Sequence, residues 1–392
     1  MKNFNLERFN IAKIKLGENP ISLNKTTYPS LMIQDGYLLD EKGEKTGTKG
    51  DMYTKVLMDK ILQEGTLDHN PRPHYEDFYE NAVYLENEKA IITSNRDEIA
   101  VSSMDKVLYE GNGLKVLTPA HTLSINNPLE CSYDLSKGES PMITLRPIAI
   151  KSSIAEILWI YQKESNDLVE FDQLLGKCTW DQDREINNWW KDWALKDMNG
   201  NYFLNGEGHP TIGSCYGKTV KRRHILKNEV IDAIKNNPDG RRNIASLWQM
   251  DDFLESHGLK PCAFLTIWNV RHEWDGKDYL DMKLVQRSSD FATAGCINQV
   301  QYSALLKMVA KDLGLEAGVF TWSPVNIQIY DRHIDQAIEM LNREPVNCKA
   351  EITCDERVRN FDDFTPSSIK IEDYPRELIK TKNPQLKFPL GI

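Results

Sequence analysis

Residues 260–290, KPCAFLTIWNVRHEWDGKDYLDMKLVQRSSD, contain the pattern that decides the fold. Two runs in this stretch, Ala263 to Val270 and Tyr279 to Val285, are rich in strand-forming residues and are typical of β-strands. They flank HEWDGKD, whose Asp-Gly pair favours a tight hairpin turn. The stretch therefore predicts a long hairpin with a cysteine just before its first strand and an arginine just after its second.

The residues upstream of this hairpin contain one more strand and two helical patterns. The run RNIASLW, Arg242 to Trp248, predicts a strand. Residues 148–163 repeat apolar side chains at the spacing of a buried helix face. Residues 183–197, which contain three tryptophans, also read as helical.

The residues downstream complete an α+β pattern. QVQYSALLKMVAKDLG predicts an amphipathic helix that ends at Gly314. GVFTWSPVNIQIY predicts two further strand pieces, and HIDQAIEMLNRE a short helix. The first stretch, to about residue 125, is polar and interrupted by turn residues, which predicts short elements joined by exposed loops. The short tail NPQLKFPLGI is expected to be mobile unless something holds it.

Composition limits the classes of partner. The chain has 392 residues and a formal net charge of −10, so long duplex nucleic acid is not expected as its main partner. A few local arginines can still bind a small anion. The sequence shows neither an 18-residue apolar run nor a secretory signal in its first residues, so we expect no membrane segment.

Cysteine usage indicates a reducing compartment. Seven cysteines occur at scattered positions without a CxxC pair, which gives poor support to a disulfide framework or a zinc site. Reduced thiols in a cytoplasm are the simpler interpretation.

Cys262 is the candidate nucleophile. A cysteine is most often a small buried hydrophobic residue. Cys262, however, precedes a strand, and arginines occur nearby in RRNI at Arg241 and Arg242 and in QRSSD at Arg287. Positive charge lowers the pKa of a thiol and raises its thiolate fraction. Guanidinium groups at strand ends around such a thiol also suit a phosphate site, although each one alone reads as a surface charge.

Several other polar and aromatic residues can each be interpreted as structural or as functional. Asn298 could cap the helix that follows it, or its amide could pair with the O4 and N3–H edge of uracil. Glu156 lies in an apolar helix and, with Asp290, is a candidate acid–base group or ligand anchor. Trp190 and Trp193 could be core residues or a stacking surface for a flat ring. The sequence contains no P-loop, GxGxxG, HExxH or GxSxG motif.

The motifs taken in order resemble the thymidylate synthase family over roughly residues 125–340 plus the apolar tail. They are DLSKG at 134–138, AEILW at 155–159, WWKDW at 189–193, CYGK at 215–218, DGRRNIASLW at 239–248, KPCAF at 260–264, QRSSD at 286–290, Asn298 in GCINQVQY and IQIYDRH at 327–333. The resemblance implies a large mixed sheet flanked by helices and a homodimer that packs through the sheet. It divides the chain into an N-terminal region, 1–124, with an insertion atypical of the family, and a catalytic domain, 125–392.

The resemblance also implies the substrates, dUMP and 5,10-methylenetetrahydrofolate, with no metal. Cys262 would attack C6 of the pyrimidine, and Asn298 would bind the base edge. Glu156 and Tyr216 would organise proton transfers.

For the phosphate, the resemblance implies Arg287 and Ser288 from the same chain and Arg241 and Arg242 from the partner subunit. Tyr330 would hold the sugar hydroxyl, with Gln328 beside it in the sugar-binding motif.

The folate would contact Trp190, Trp193 and Asp290, which also borders the nucleotide, and the tail ending at Ile392 would close over it. Addition of a thiolate at C6 makes C5 nucleophilic, and the methylene of the folate is then transferred to C5.

Departures from the family pattern bear on the product. Ala263 and Gln328 replace the usual histidines, Asn326 replaces an acidic residue, Arg146 replaces a lysine, and Arg72 aligns only loosely with the loop arginine. We expect the histidine lost at residue 263 to rearrange water near the base. This favours hydroxymethylation of dUMP, as in divergent phage deoxyuridylate hydroxymethylases acting in the host cytoplasm.

Two alternatives to the hydroxymethylase remain at this point. The first is a thymidylate synthase that makes dTMP, which the retained Trp190 and the apolar tail favour because both would shield the intermediate from water. The second is a silent nucleotide- or RNA-binding relative, against which the intact Cys262 argues.

Overall fold

The computed structural model describes residues 1–68, 121–196, 201–255 and 259–388, together with four short strands between residues 83 and 116. The α-helices in these parts are α1 (Leu6–Lys15), α2 (Lys49–Glu64), α3 (Ile150–Tyr161), α4 (Leu168–Leu175), α5 (Trp180–Asp183), α6 (Gly217–Arg223), α7 (Asp232–Asn236), α8 (Met250–Glu255), α9 (Cys296–Leu313), α10 (Ile334–Asn342) and α11 (Arg376–Lys382). None of the described helices is both long enough and apolar enough to cross a bilayer.

The strands occur mostly as short pairs around two larger sheets. They are β1 (Lys2–Asn3), β2 (Thr27–Tyr28), β3 (Ile33–Gln34), β4 (Tyr37–Leu39), β5 (Lys45–Thr46), β6 (Thr66–Leu67), β7 (Val83–Glu86), β8 (Lys89–Ile92), β9 (Val107–Glu110), β10 (Gly113–Val116), β11 (Thr122–Asn126), β12 (Cys131–Asp134), β13 (Asn243–Ser246), β14 (Ala263–His272), β15 (Asp278–Gln286), β16 (Ser289–Asp290), β17 (Glu316–Pro324), β18 (Asn326–Tyr330), β19 (Glu351–Cys354) and β20 (Ile369–Glu372). The predicted α+β class is confirmed.

The central sheet has the strand order β12-β17-β15-β14-β13 and is mixed, because β15 and β17 run parallel while the other pairs are antiparallel. The predicted hairpin is confirmed: β14 and β15 pair from Ala263 opposite Gln286 to His272 opposite Asp278. Side chains alternate between the faces of a strand, and Trp268, Met282 and Phe320 point into the core. The opposite face of this sheet is only half-buried.

Helix α9 packs on the buried face, α3 packs against α9, and both helices confirm their predictions. Ten of the twelve residues of α3 are buried, including Glu156. Helix α9 ends where Gly314 adopts the left-handed conformation, with φ 69°. Glycine adopts this conformation without the Cβ clash that other residues meet, so it ends the helix here.

A second sheet, in the order β16-β18-β11-β6, brings distant polar residues together. Strand β16 runs parallel to β18, so that Asp290 lies opposite Gln328. Strand β11 runs antiparallel to β18, with Thr122 opposite Tyr330. The residues just after the long hairpin therefore lie beside the end of β18.

The prediction that the stretch to about residue 125 consists of short elements joined by exposed loops is wrong at α2, and most of residues 69–120 lie outside the described residues. Helix α2 has sixteen residues, nine of them buried, and Leu57, Met58 and Ile61 belong to the same apolar core as the central sheet. Asp51 and Lys55 are buried on the same helix and interrupt its apolar pattern, which is why the segment read as polar.

The predicted helix over residues 183–197 is also wrong. Helix α5 ends at Asp183, and a 3₁₀ turn covers Trp189–Trp193. The side chain of Asn188 accepts a hydrogen bond from the Trp190 N–H and donates to the Leu168 carbonyl, which fixes a turn at this point. Because a helix would break these bonds, the tryptophans follow turn geometry instead.

Asp51 joins α2 to the rest of the core and is a test of this packing. It is fully buried and accepts hydrogen bonds from the Thr48 N–H, the Thr144 N–H and the Thr144 hydroxyl. We predict that Asp51→Ala lowers the free energy of unfolding by about 3 kcal/mol, because buried donors lose their acceptor. Denaturant unfolding measures this. Glu64→Ala, at an exposed ion pair on the same helix, should change it by less than about 0.5 kcal/mol; equal effects would contradict the prediction.

Candidate active site

Cys262 lies at the start of β14, as predicted, and is only partly buried. Its backbone N–H donates to the Tyr216 hydroxyl over 3.0 Å. Its carbonyl accepts from the Arg287 N–H over 2.9 Å. The candidate nucleophile is therefore fixed on both sides, by a buried phenol and by the residue that follows β15.

Arg287 is bonded to the backbone of residues 260–262 of its own chain. Its guanidinium donates to the carbonyls of Lys260, over 2.7 Å, and Pro261, over 3.0 Å. It also lies 5.9 Å from the ring centroid of Trp248. These contacts orient a planar cation beside the backbone of residues 260 and 261, where it can bind an oxyanion.

Arg241 and Arg242 do not join Arg287 within one chain. Both are exposed, and they precede β13, whose Asn243 lies opposite Trp268. This register places them at the far end of β14 from Cys262, roughly 25 Å away at about 3.3 Å per residue. The expectation that all these arginines surround Cys262 is therefore wrong for a single subunit. Arg241 and Arg242 lie beside the end of β14 that is farther from Cys262.

Tyr216 owes its position to an unusual backbone. Its φ of 46° is rare for a residue with a side chain. The next residue, Gly217, approaches the backbone of Ser165 so closely that a Cβ there would lie 2.0 Å from the Ser165 carbonyl oxygen. Glycine is therefore required at position 217, and the resulting turn directs the Tyr216 hydroxyl to Cys262.

Four side chains form a hydrogen-bonded row behind the thiol. The Trp322 indole N–H donates to Gln286 over 2.8 Å, Gln286 donates to Asn298 over 3.1 Å, and Asn298 donates to Gln301 over 3.1 Å. An indole can only donate, so it sets the direction of every amide in the row. The oxygen of Asn298 then faces Gln286, and its NH2 group faces Gln301.

Asn298 lies in the first turn of α9, after the N-cap Gly295, so the helix-cap reading of this residue is wrong. Gln286, Gln301 and Trp322 were not predicted as site residues from the sequence. Gln286 could have been found, because it begins the QRSSD motif. The other two are recognisable only from the contact between α9 and β17.

Glu156 projects from α3 into this region and is 8% exposed. Burial raises the pKa of its carboxyl to about 7, while Gln301, Trp190 and Trp189 oppose the rise. Their opposition is weak, since neither the Trp190 indole N–H nor the Gln301 amide nitrogen has a partner within hydrogen-bond distance among the described residues. A carboxyl that titrates near neutral pH suits proton transfer.

Trp190 lies near Glu156 and is 7% exposed. Its ring centroid lies 5.5 Å from Tyr216, 5.7 Å from Trp193 and 6.0 Å from Trp159. The core-packing prediction for Trp190 is confirmed, because the indole is buried among these rings. Its role as a stacking surface for a ligand ring stays a prediction.

A second group of predicted residues lies where β16 meets β18. The Ser288 hydroxyl is 3.3 Å from Oε1 and 3.2 Å from Nε2 of Gln328. Asp290 accepts from the Thr293 hydroxyl over 2.5 Å, while its Oδ1 is buried without a hydrogen-bond partner among the described residues. Tyr330 is 8% exposed and lies 5.5 Å, ring to ring, from His333.

The predicted C-terminal residue Ile392 and the loop residue Arg72 lie outside the described residues. The last described residue, Phe388, reaches this second group: its ring lies 5.3 Å from that of His333 and 5.3 Å from the guanidinium of Arg146. The tail is thus held at Phe388, four residues before the end of the sequence.

One cluster has side chains of the type that bind metals: Asp167, Glu207 and His209. The Asp167 carboxylate already caps α4 and accepts from Asn205 and His209. We therefore assign this cluster a structural role, joining α4 to the loop that precedes α6.

The pKa of Glu156 leads to a prediction about stability. A carboxyl whose pKa is raised on folding favours the folded state below its unfolded value, near 4.5, and loses this contribution as the pH rises through about 7. The free energy of unfolding of the wild type minus that of Glu156→Gln should therefore fall by roughly 2 to 3 kcal/mol between pH 5 and pH 8. Denaturant unfolding at several pH values measures the difference. Glu377→Gln, at an exposed side chain, should give a flat profile, and a flat profile for Glu156→Gln would contradict the assignment.

Comparisons with known proteins agree with this geometry. Residues 101–385 match the family model described as thymidylate synthase. A thymidylate synthase from Streptococcus pneumoniae is 38% identical, and one from Streptococcus sanguinis is 37% identical, over 346 residues that cover 88% of this chain and 100% of each relative. The solved structure of thermostable thymidylate synthase A from Bacillus subtilis is similar with a TM-score of 0.60 and 25% sequence identity, covering 87% of this chain and 99% of that chain. The chain belongs to the thymidylate synthase family.

Proposed function

We propose that this protein is a thymidylate synthase, which converts dUMP and 5,10-methylenetetrahydrofolate into dTMP and dihydrofolate. The observation that carries the proposal is the packing of Trp190 against Tyr216, the residue bonded to Cys262. A buried indole at this position favours exclusion of water from the intermediate, which is what a methyl product requires. The similar proteins named thymidylate synthase support the same choice.

Replacement of a histidine by Ala263 favoured hydroxymethylation, but the surroundings of Ala263 weaken that reasoning. Ala263 is buried, 5% exposed, and lies opposite Gln286 in the sheet. Gln286 keeps its own bonds to Trp322, Asn298 and the Ser288 carbonyl. The polar row behind the base site thus forms without a histidine, and none of the comparisons supports a hydroxymethylase specifically.

In this proposal the nucleotide lies between the thiol and the amide row. The Cys262 thiolate adds to C6 of the base, and the negative charge that develops at O4 is stabilised by the NH2 group of Asn298. Glu156 exchanges protons near neutral pH, and Tyr216 holds the backbone of the nucleophile in place. Arg287 and Ser288 bind the phosphate, and Tyr330 and Gln328 the sugar.

The residues proposed for the folate fit its chemistry. The folate supplies the one-carbon unit and, for a methyl product, the reducing hydride. The buried Oδ1 of Asp290, which has no hydrogen-bond partner among the described residues, can accept from an N–H group of a pterin ring, and Trp190 and Trp193 offer flat surfaces for stacking.

We also propose a homodimer formed through the open face of the central sheet. Leu265, Ile267 and Val285 point to this half-buried face. Because Arg241 and Arg242 are far from Cys262 of their own chain, a two-fold partner can bring them to the other subunit's phosphate.

The first test is the mass of the nucleotide formed from dUMP and 5,10-methylenetetrahydrofolate. We predict dTMP with equimolar dihydrofolate from the wild type, and a loss of at least about 10⁴-fold in kcat for Cys262→Ala. Cys178→Ala, at another partly buried thiol, should keep normal activity. Formation of 5-hydroxymethyl-dUMP with tetrahydrofolate would instead support the hydroxymethylase.

The second test concerns the shared site. We predict that Cys262→Ala and the double variant Arg241→Ala/Arg242→Ala are each nearly inactive alone. After subunit exchange, half of the dimers are mixed and each has one complete site, so about a quarter of wild-type activity should return. Failure to recover activity, with exchange verified by native mass spectrometry, would mean that these arginines act elsewhere.

A further inference from the structure

Lys13 lies outside residues 101–385, which match the family model. It is nevertheless buried beside the end of β18 in the second sheet. It is on α1, and its Nζ is 2.5 Å from Oδ2 of Asp331. The two side chains are 6% and 4% exposed. Burying two charges is costly unless they pair, so the position of each one depends on the other.

Asp331 directly follows Tyr330 and begins the 3₁₀ turn Asp331–His333. Its N–H donates to the carbonyl of His121 over 2.9 Å. At the other end of the turn, the His333 ring packs edge-on against Tyr330 at 5.5 Å, and its Nδ1 is 3.9 Å from Oδ1 of Asp290. The turn therefore links the proposed sugar-binding residue to the proposed folate-binding carboxylate.

His121, near this ion pair, lies between two carboxylates. His121 is completely buried, with Nδ1 3.1 Å from Asp68 and Nε2 3.9 Å from Glu18. Two carboxylates thus face the imidazole, and Lys13 neutralises the third, that of Asp331. Without Lys13, Asp331 would be an unpaired buried carboxylate and would move toward water, displacing the turn.

We propose that Lys13 is a positioning residue for the nucleotide site, and that α1 holds Tyr330 in place through the buried Lys13–Asp331 ion pair. This inference rests on the proposed function, because it takes the partner of Tyr330 to be the 3′-hydroxyl of dUMP. The N-terminal segment would thus affect nucleotide affinity indirectly, through Asp331 and Tyr330.

The test compares nucleotides with and without that hydroxyl. Calorimetric titration of Lys13→Met should show about tenfold weaker binding of dUMP and less than about twofold weaker binding of 2′,3′-dideoxyuridine monophosphate. KM for dUMP should rise similarly, with kcat nearly unchanged. Lys13→Arg should retain much of the affinity, because it keeps the charge.

Two further variants separate positioning from folding. Asp331→Asn removes the ion pair by a nearly isosteric change and should show the same selective loss, while Lys13→Met/Asp331→Asn, with no unpaired buried charge, should recover much of it. Lys2→Met, which removes the partly exposed Lys2–Asp59 pair of the same segment, should leave both affinities unchanged.

The inference would be overturned if Lys13→Met weakened the binding of both nucleotides equally, or if Lys2→Met showed the same loss of dUMP affinity. Absence of dUMP binding and of dTMP formation in the wild type would instead refute the proposed function, so the two failures are distinguishable.

Discussion

The proposed active site depends on the bonds that join residues 260–262 to Arg287. The guanidinium of Arg287 holds the carbonyls of Lys260 and Pro261, and its backbone N–H holds the carbonyl of Cys262. These bonds extend the pairing of β14 and β15 past the last regular pair, Ala263 with Gln286. Arg287 therefore fixes the backbone at Cys262 and also supplies a cation beside that backbone.

The rest of the fold places the proposed reacting groups around Cys262 and Arg287. Helix α3 brings a carboxyl from the core, the strained turn at Tyr216 brings a hydroxyl, and α9 brings the amide of Asn298. The second sheet brings Ser288 and Tyr330 from the other side. Most of these polar groups are buried. Burial of a polar group is tolerated where it is hydrogen-bonded to a neighbour.

Much of this arrangement could be predicted from the sequence, because it follows from local patterns. The Asp-Gly turn and its flanking strands predicted the hairpin, and Gly314 predicted the end of α9. Two local predictions were wrong because tertiary hydrogen bonds overrode the pattern. Buried Asp51 made the sequence of α2 look polar, and the bonds of Asn188 stabilise a turn instead of a helix in the tryptophan segment.

What the sequence could not reveal are distances across the fold. The separation of Arg241 from Cys262 depends on the strand register, and the Trp322–Gln286–Asn298 row depends on how α9 packs on β17. The ion pair of Lys13 with Asp331 joins residues 318 positions apart, and no local pattern marks such a pair.

The central claim is that the sulfur of Cys262 forms a covalent bond to a pyrimidine in the presence of the folate. Intact mass spectrometry after incubation with 5-fluoro-dUMP and 5,10-methylenetetrahydrofolate tests it most directly, because fluorine at C5 cannot leave as a proton and the adduct accumulates. We expect a mass increase equal to one nucleotide plus one folate, located by digestion on the peptide that contains Cys262. An unmodified protein, or an adduct on any other cysteine, would contradict the account.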